Sequence, residues 1–144
     1  MCLYTKMICP QRARKDIICY KVLRATTLQT GHTYYTTPYF GCKVKLNSTL
    51  SAKENVIVPH KFEARYRLLY PDYMIEEGYI HCFTNKNVVC EYVYNYLCKE
   101  RWYNTGNIVI VECIIPKGTL YYKSTNRLEI CAKEIFTRGI ELQM

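Results

Sequence analysis

No apolar run in this chain approaches the length needed to cross a bilayer, so no transmembrane helix is expected. There is no Gly-x-x-x-x-Gly-Lys phosphate loop and no Gly-x-Gly-x-x-Gly dinucleotide turn. Serine is scarce: Ser48, Ser51 and Ser124 all fall in turn-like contexts, and none sits in a nucleophile elbow. That argues against serine-nucleophile hydrolysis. No Cys-x-x-Cys pair exists and no histidine lies at finger spacing, which argues against a structural zinc site. A paired-carboxylate hydrolase built on Glu129 and Glu134 is disfavoured, because odd spacing along a strand sends two side chains to opposite faces. A cysteine–histidine pair stays open, since such partners meet in space. The adjacency of His81 and Cys82 is no evidence for one, because strand neighbours point apart. Internal repeats and low-complexity tracts are also missing.

What is present is a chain of 144 residues, the size of one domain, taken as 1–144. An apolar share of 49% and an aromatic share of 14% exclude a disordered chain. Fifteen tyrosines suit half-buried strand positions, with base or sugar stacking as the alternative use. The net charge of +8 favours anionic partners. Its densest group is Arg12, Arg14 and Lys15, too short to define a nucleic-acid arm. The cysteines number nine, an odd count, and Met1 to Pro10 lacks the apolar core and cleavage site of a signal peptide. Cys19, Cys82, Cys90, Cys98, Cys113 and Cys131 lie inside strand or helix patterns, where a reduced thiol behaves as a small hydrophobe. Free thiols in a reducing cytoplasm are therefore expected.

Asp16 to Leu23 reads as a central strand, apolar on both faces, with Arg24 at its end. Residues 25–41 read as loop or a short irregular hairpin, Cys42 to Leu46 as a strand, Asn47 to Asn55 as turn-like, and Val56 to Val58 as a short strand stopped by Pro59. Phe62, Tyr66 and Leu69 have helical spacing that Pro71 would end. After Gly78, Tyr79 to Phe83 is a strand, and Thr84 or Asn85 is the cap of a helix. Val88, Val89, Tyr92, Val93, Tyr96 and Leu97 form its wide apolar face, and Asn104 to Asn107 with Gly106 ends the unit. Ile108 to Ile115 is a buried strand, Pro116-Lys117-Gly118 a turn, Leu120 to Lys123 a strand, Ser124 to Asn126 a turn, and Leu128 to Thr137 one long last strand. The fold class is α+β, mainly antiparallel sheet with one or two helices.

Several of these segments resemble the ADP-ribosyltransferase fold. Arg24 after Cys-Tyr-Lys-Val-Leu resembles that family's first-strand Arg or His, which holds the nicotinamide-side ribose or phosphate. Tyr79-Ile80-His81-Cys82-Phe83-Thr84 resembles its pocket-lining central strand, and Ile115-Pro116-Lys117-Gly118-Thr119 a common turn of the fold. Glu129 or Glu134 falls near the position of the catalytic Glu, while the Ser-Thr-Ser and Glu-x-Glu motifs are missing. The chain is also similar to a group of small proteins of bacteriophages and their hosts. The shared segments are the opening Cys-Leu-Tyr, the Cys-Tyr-Lys-Val strand, Gly-Tyr-Ile-His and Ile-Pro-Lys-Gly-Thr.

The resemblance implies a ligand site formed by Tyr20, Arg24, Tyr79, His81, Phe83, Thr84, Glu129 and Lys133, with Arg24, His81 and Glu129 converging on one cleft. Arg24 would clamp phosphate, and His81 would read a ribose hydroxyl or base edge. Lys117 is set aside as solvated, and Glu129 and Lys133 are taken to share one strand face. The expected ligand is a phosphorylated nucleotide. No cofactor, metal or membrane is expected, and no catalytic residue is assigned. The function this implies is capture of a nucleotide immune signal, ADP-ribose-derived or cyclic, to counter host defence. The alternatives are a divergent ADP-ribosyltransferase or nucleotide-signal hydrolase, and a basic module that binds nucleic acid or protein.

Overall fold

The computed structural model describes residues 3–7, 9–38, 41–52, 60–61, 73–75, 79–97 and 107–144. The strands are β1 (Leu3–Thr5), β2 (Gln11–Arg12), β3 (Ile17–Thr27), β4 (Thr33–Thr36), β5 (Lys43–Val44), β6 (Ser48–Ser51), β7 (His60–Lys61), β8 (Tyr73–Ile75), β9 (Ile80–Phe83), β10 (Ile108–Ile115), β11 (Leu120–Lys123), β12 (Glu129–Ala132) and β13 (Glu134–Gln143). Helix α1 (Lys86–Tyr92) runs into a π turn over Val93–Leu97. Every pairing is antiparallel. The α+β, mainly antiparallel expectation therefore holds, with one short helix among the described residues.

The main sheet has the order β2-β11-β12-β9-β3-β10-β13-β6, with β4 and β5 continuing from β3, while β1, β8 and β7 form a small separate sheet. β3 is central, as its two-sided apolar pattern predicts. It pairs with β10 from Ile17 to Arg24 on one edge, and with β9 and then β4 on the other. Arg24 lies inside β3 rather than at its end, because the strand continues to Thr27 and turns back at Gly31 into β4.

The sheet must curl. Only Lys133 separates β12 from β13 in sequence, yet β9, β3 and β10 lie between them in the sheet. A flat sheet would hold β12 and β13 about 19 Å apart, four steps of about 4.8 Å. Two residues of chain span only about 7 Å. Two register shifts interrupt the β10–β13 ladder around Val111, and such irregularities bend a strand and increase its twist. Inside the curl lies a core drawn from both halves, including Cys19, Leu23, Cys82, Val109, Val111, Cys113, Ile115, Ile130 and Ile135. On the other face, Val89, Val93 and Leu97 of the helical segment pack on Val22, Phe83, Ile108 and Ile110. Leu3, Tyr79, Tyr122 and Cys131 form a third cluster beside them.

The helix begins at Asn85, whose side chain accepts the Asn87 N–H at 2.7 Å. Thr84 is not the cap; its hydroxyl donates to the carbonyls of Arg127 and Leu128. Two other expectations fail. The span from Leu128 to Thr137 is not one strand, because the chain bends at Lys133 to pass between the two halves, so Glu129 and Lys133 share no strand face. Ser48–Ser51, expected to be turn, is a strand, because the edge of β13 supplies backbone partners whatever the side-chain polarity. The strand expected at Val56 to Val58, the helical pattern of Phe62, Tyr66 and Leu69, and all but Asn107 of the terminator at Asn104 to Asn107 lie outside the described residues.

Candidate functional site

Five cations gather where the curled sheet closes. The organising element is the turn Pro116-Lys117-Gly118-Thr119 between β10 and β11. Thr119 N–H donates to the Pro116 carbonyl at 3.1 Å. Gly118, with φ of 89°, fills the third position of this type II turn, which calls for a residue tolerant of positive φ. The segment from Gln11 to Asp16 is stitched around that turn. Ala13 N–H donates to the Thr119 carbonyl at 2.9 Å, and Gly118 N–H donates back to the Ala13 carbonyl at 2.8 Å. The Arg12 guanidinium donates to the Gly118 carbonyl at 3.0 Å, and the Asp16 carboxylate accepts the Lys117 N–H at 2.8 Å. Lys133 is fixed at the same place. Its N–H donates to the Leu120 carbonyl at 3.0 Å and its carbonyl accepts from Ala52 N–H at 2.8 Å, so the bend is tied to β11 and to the end of β6.

These contacts leave two shallow grooves with Arg12 in both walls. The first, about 520 Å³, is lined by Gln11, Arg12, Arg14, Lys15, Ile17 and Tyr121. The second, about 470 Å³, lies among Arg12, Ser51, Lys117, Gly118, Thr119, Lys133 and Glu134. Arg12, Arg14, Lys15, Lys117 and Lys133 are all solvent-exposed. Glu134 is the acid of the second groove, and its carboxylate accepts a hydrogen bond from Ser51 Oγ at 3.3 Å. The Tyr121 hydroxyl donates to Gln11 Oε1 at 3.1 Å, which steadies its ring in the first groove. Cationic walls beside an aromatic ring can take a phosphate and a flat heterocycle together.

Of the residues expected from sequence, only Lys133 lies here. Tyr20, Phe83 and Glu129 stand in one row across β3, β9 and β12, each directly opposite the next. Tyr20 and Phe83 pack into the cluster under the helix, with Phe83 against the Tyr92 ring at 5.0 Å. Tyr79 is buried, its ring 5.4 Å from that of Tyr122. His81 faces Cys131 across the ladder. Both its ring nitrogens are buried without a hydrogen-bond partner among the described residues. Burial, reinforced by the nearby Lys21 ammonium, pushes its pKa down to about 3. Burial also raises the Glu129 carboxyl above its ordinary value. Arg24 is exposed on β3, opposite Ile108 and Thr36. Thr84 is engaged by the carbonyls of Arg127 and Leu128.

Sequence reasoning noticed Arg12, Arg14 and Lys15 as a cationic group and set Lys117 aside. Their meeting depends on a loop near residue 13 wrapping a turn near residue 118, which no local spacing encodes. Among the described residues no group of three His, Cys, Asp or Glu side chains is placed to hold a metal ion, and no helix is long and apolar enough to cross a membrane. No protein family, curated protein or solved structure matches the chain.

Proposed function

We propose that this protein binds a phosphorylated nucleotide in the first of the two basic grooves at the closing seam of its sheet. The observation that carries the reading is the first groove, which Arg12, Arg14 and Lys15 line together with Tyr121, a half-buried ring that also packs on the core. Arginine forks hold phosphate oxygens in pairs, and a tyrosine face accepts a base. The volume of about 520 Å³ falls within the range of small-molecule sites. Part of the +8 net charge is thus concentrated where a ligand can use it.

We read the scaffold as similar to ADP-ribosyltransferases in its two-part antiparallel sheet with a helix packed on one face, and the use as capture of a nucleotide defence signal. Free thiols at Cys19, Cys82, Cys113 and Cys131, all buried, support a reducing cytoplasm as the compartment. Isothermal calorimetry against adenosine mono- and diphosphate, ADP-ribose and cyclic nucleotides tests the reading. At least one should bind with a micromolar or tighter Kd. Arg14→Ala should weaken it by about 1.5–3 kcal/mol, the worth of a charge-assisted hydrogen bond. Heats no larger than dilution across the whole panel would sink the proposal.

A further inference from the structure

The two grooves have a common wall. Arg12 lines both, and its guanidinium is anchored on the Gly118 carbonyl between them. A single nucleotide fills one groove. It leaves Lys117 and Lys133 on the far side of Arg12 with no phosphate to meet. A ligand with several phosphates in a row engages all five cations.

We propose that the two grooves form one track for a short single-stranded oligonucleotide, its backbone running from Arg14 and Lys15, past Arg12, to Lys117 and Lys133. This deepens the nucleotide reading and rests on it. Three observations favour a single strand. Tyr121 offers a ring in the first groove, and stacking on it needs an unpaired base. In the second groove Ser51 and the Gly118–Thr119 turn present small groups beside the cations, which suits a sugar-phosphate backbone better than a base. The cations sit on exposed positions of the edge strand β2 and the segment after it, of a turn and of a bend, which leaves the track open to a flexible chain. Contact of a tetranucleotide's backbone with about three phosphates gives a slope of log K against log salt of about −2, at about 0.7 per phosphate for single strands.

The test is fluorescence anisotropy with 5′-labelled thymidine monophosphate and dT2, dT4 and dT6, and with a labelled GC-rich hairpin duplex that stays paired at the assay temperature, at several salt concentrations. Affinity should rise at least tenfold from the mononucleotide to dT4 and then level off. Lys133→Gln should lower dT4 affinity several-fold and make the salt slope shallower by about 0.7, while leaving the mononucleotide unchanged. Arg14→Gln should weaken both. Arg127→Asn removes an exposed cation from the far end of β11 and should change neither. If dT4 binds no tighter than the mononucleotide, the track is wrong and the nucleotide reading stands. If the duplex binds as tightly as dT6, the single-strand assignment is wrong. If no nucleotide and no oligonucleotide binds, both readings fall together.

Discussion

Lys21 and His81 meet where the sheet forks: the lysine ammonium donates to the histidine carbonyl at 2.9 Å. β9 touches β3 at a single residue pair, Tyr20 with Phe83, and then departs, while β4 takes over the edge of β3 from Arg24 onward. The carbonyl of His81 is left in the opening without a strand partner. Lys21 satisfies it, since a buried acceptor without a donor costs about 1–3 kcal/mol. The same ammonium lies close enough to the imidazole of His81 to disfavour its protonation, adding to the larger effect of burial.

That arrangement makes stability depend on acidity. The unfolded imidazole titrates near its ordinary 6.5, and the folded one near 3. Between those values the unfolded state binds the extra proton, so stability is full above pH 6.5 and falls as pH drops toward 3. The loss attributable to His81 between pH 6.5 and 4.5 should be about 2 kcal/mol. Urea midpoints measured across that range for the natural protein and for His81→Phe should diverge, the variant giving the flatter curve. Parallel curves would show that His81 is protonated in the fold or shielded by a partner.

Glu129 works in the opposite direction. Burial raises its carboxyl, so the folded state holds the proton more tightly than the unfolded state. Ionisation at neutral pH therefore costs stability, and the penalty disappears as pH falls below the ordinary carboxylate range. Glu129→Gln keeps the shape and removes the charge. It should raise the Tm at pH 7 and have no effect near pH 3. A lower Tm at pH 7 would mean that the carboxylate has a charged partner in solution.

The helical segment offers a test of face. Val93 is fully buried among Val22, Ile108 and Ile110, whereas its neighbour Tyr94 is 66% exposed. An aspartate at position 93 would place an unpaired carboxylate in an apolar site at a cost of several kcal/mol, a large share of a typical domain's stability. Val93→Asp should leave little folded protein by circular dichroism, and Tyr94→Ser should melt within a few degrees of the parent.

The strands at Ile108–Ile115 and Leu120–Lys123, and the apolar face of the helix, were legible because burial writes itself into the residues one by one. The grooves were not. Arg12 and Lys117 come together through backbone hydrogen bonds of Ala13, Gly118 and Thr119, and backbone bonds leave no mark on side-chain pattern. The break at Lys133 was hidden for a related reason. Leu128 to Thr137 has a strand-like composition on both sides of the bend, and only closure of the curled sheet decides that the chain must change partners there. Tyr79, His81 and Phe83 were found as a pattern, but burial of Tyr79 and Phe83 is also what a core strand requires.

Cysteine reactivity should sort by position. Cys9 and Cys42 are exposed, while Cys19, Cys82, Cys113 and Cys131 are buried. The neighbouring Cys82 side chain, together with burial, holds the Cys19 thiol protonated far above its ordinary range. Brief treatment of the native protein with iodoacetamide, followed by peptide mass spectrometry, should label Cys9 and Cys42 and spare the four buried thiols. Labelling of the buried group should appear only with denaturant. Early modification of Cys19 or Cys82 would place that sheet junction in an open state.

Lys133 tests how the sheet closes. Its N–H reaches the Leu120 carbonyl and its carbonyl takes the Ala52 N–H, so the backbone of one residue joins the two halves at the seam. The side chain is exposed and lines the second groove. Lys133→Ala keeps both backbone bonds and should change stability by less than about 0.5 kcal/mol, the usual range for surface substitutions. Lys133→Pro deletes the donor to Leu120 and leaves that carbonyl short of a partner, so it should cost about 1–3 kcal/mol. Hydrogen exchange should locate the damage: amides of β11 and β12 should lose protection in the proline variant before those of β3 and β10, which pair over eight residues and do not rely on the seam. Equal stability of the two variants would mean that the curl is held by its core alone, and that the bend at Lys133 follows the closure instead of fixing it.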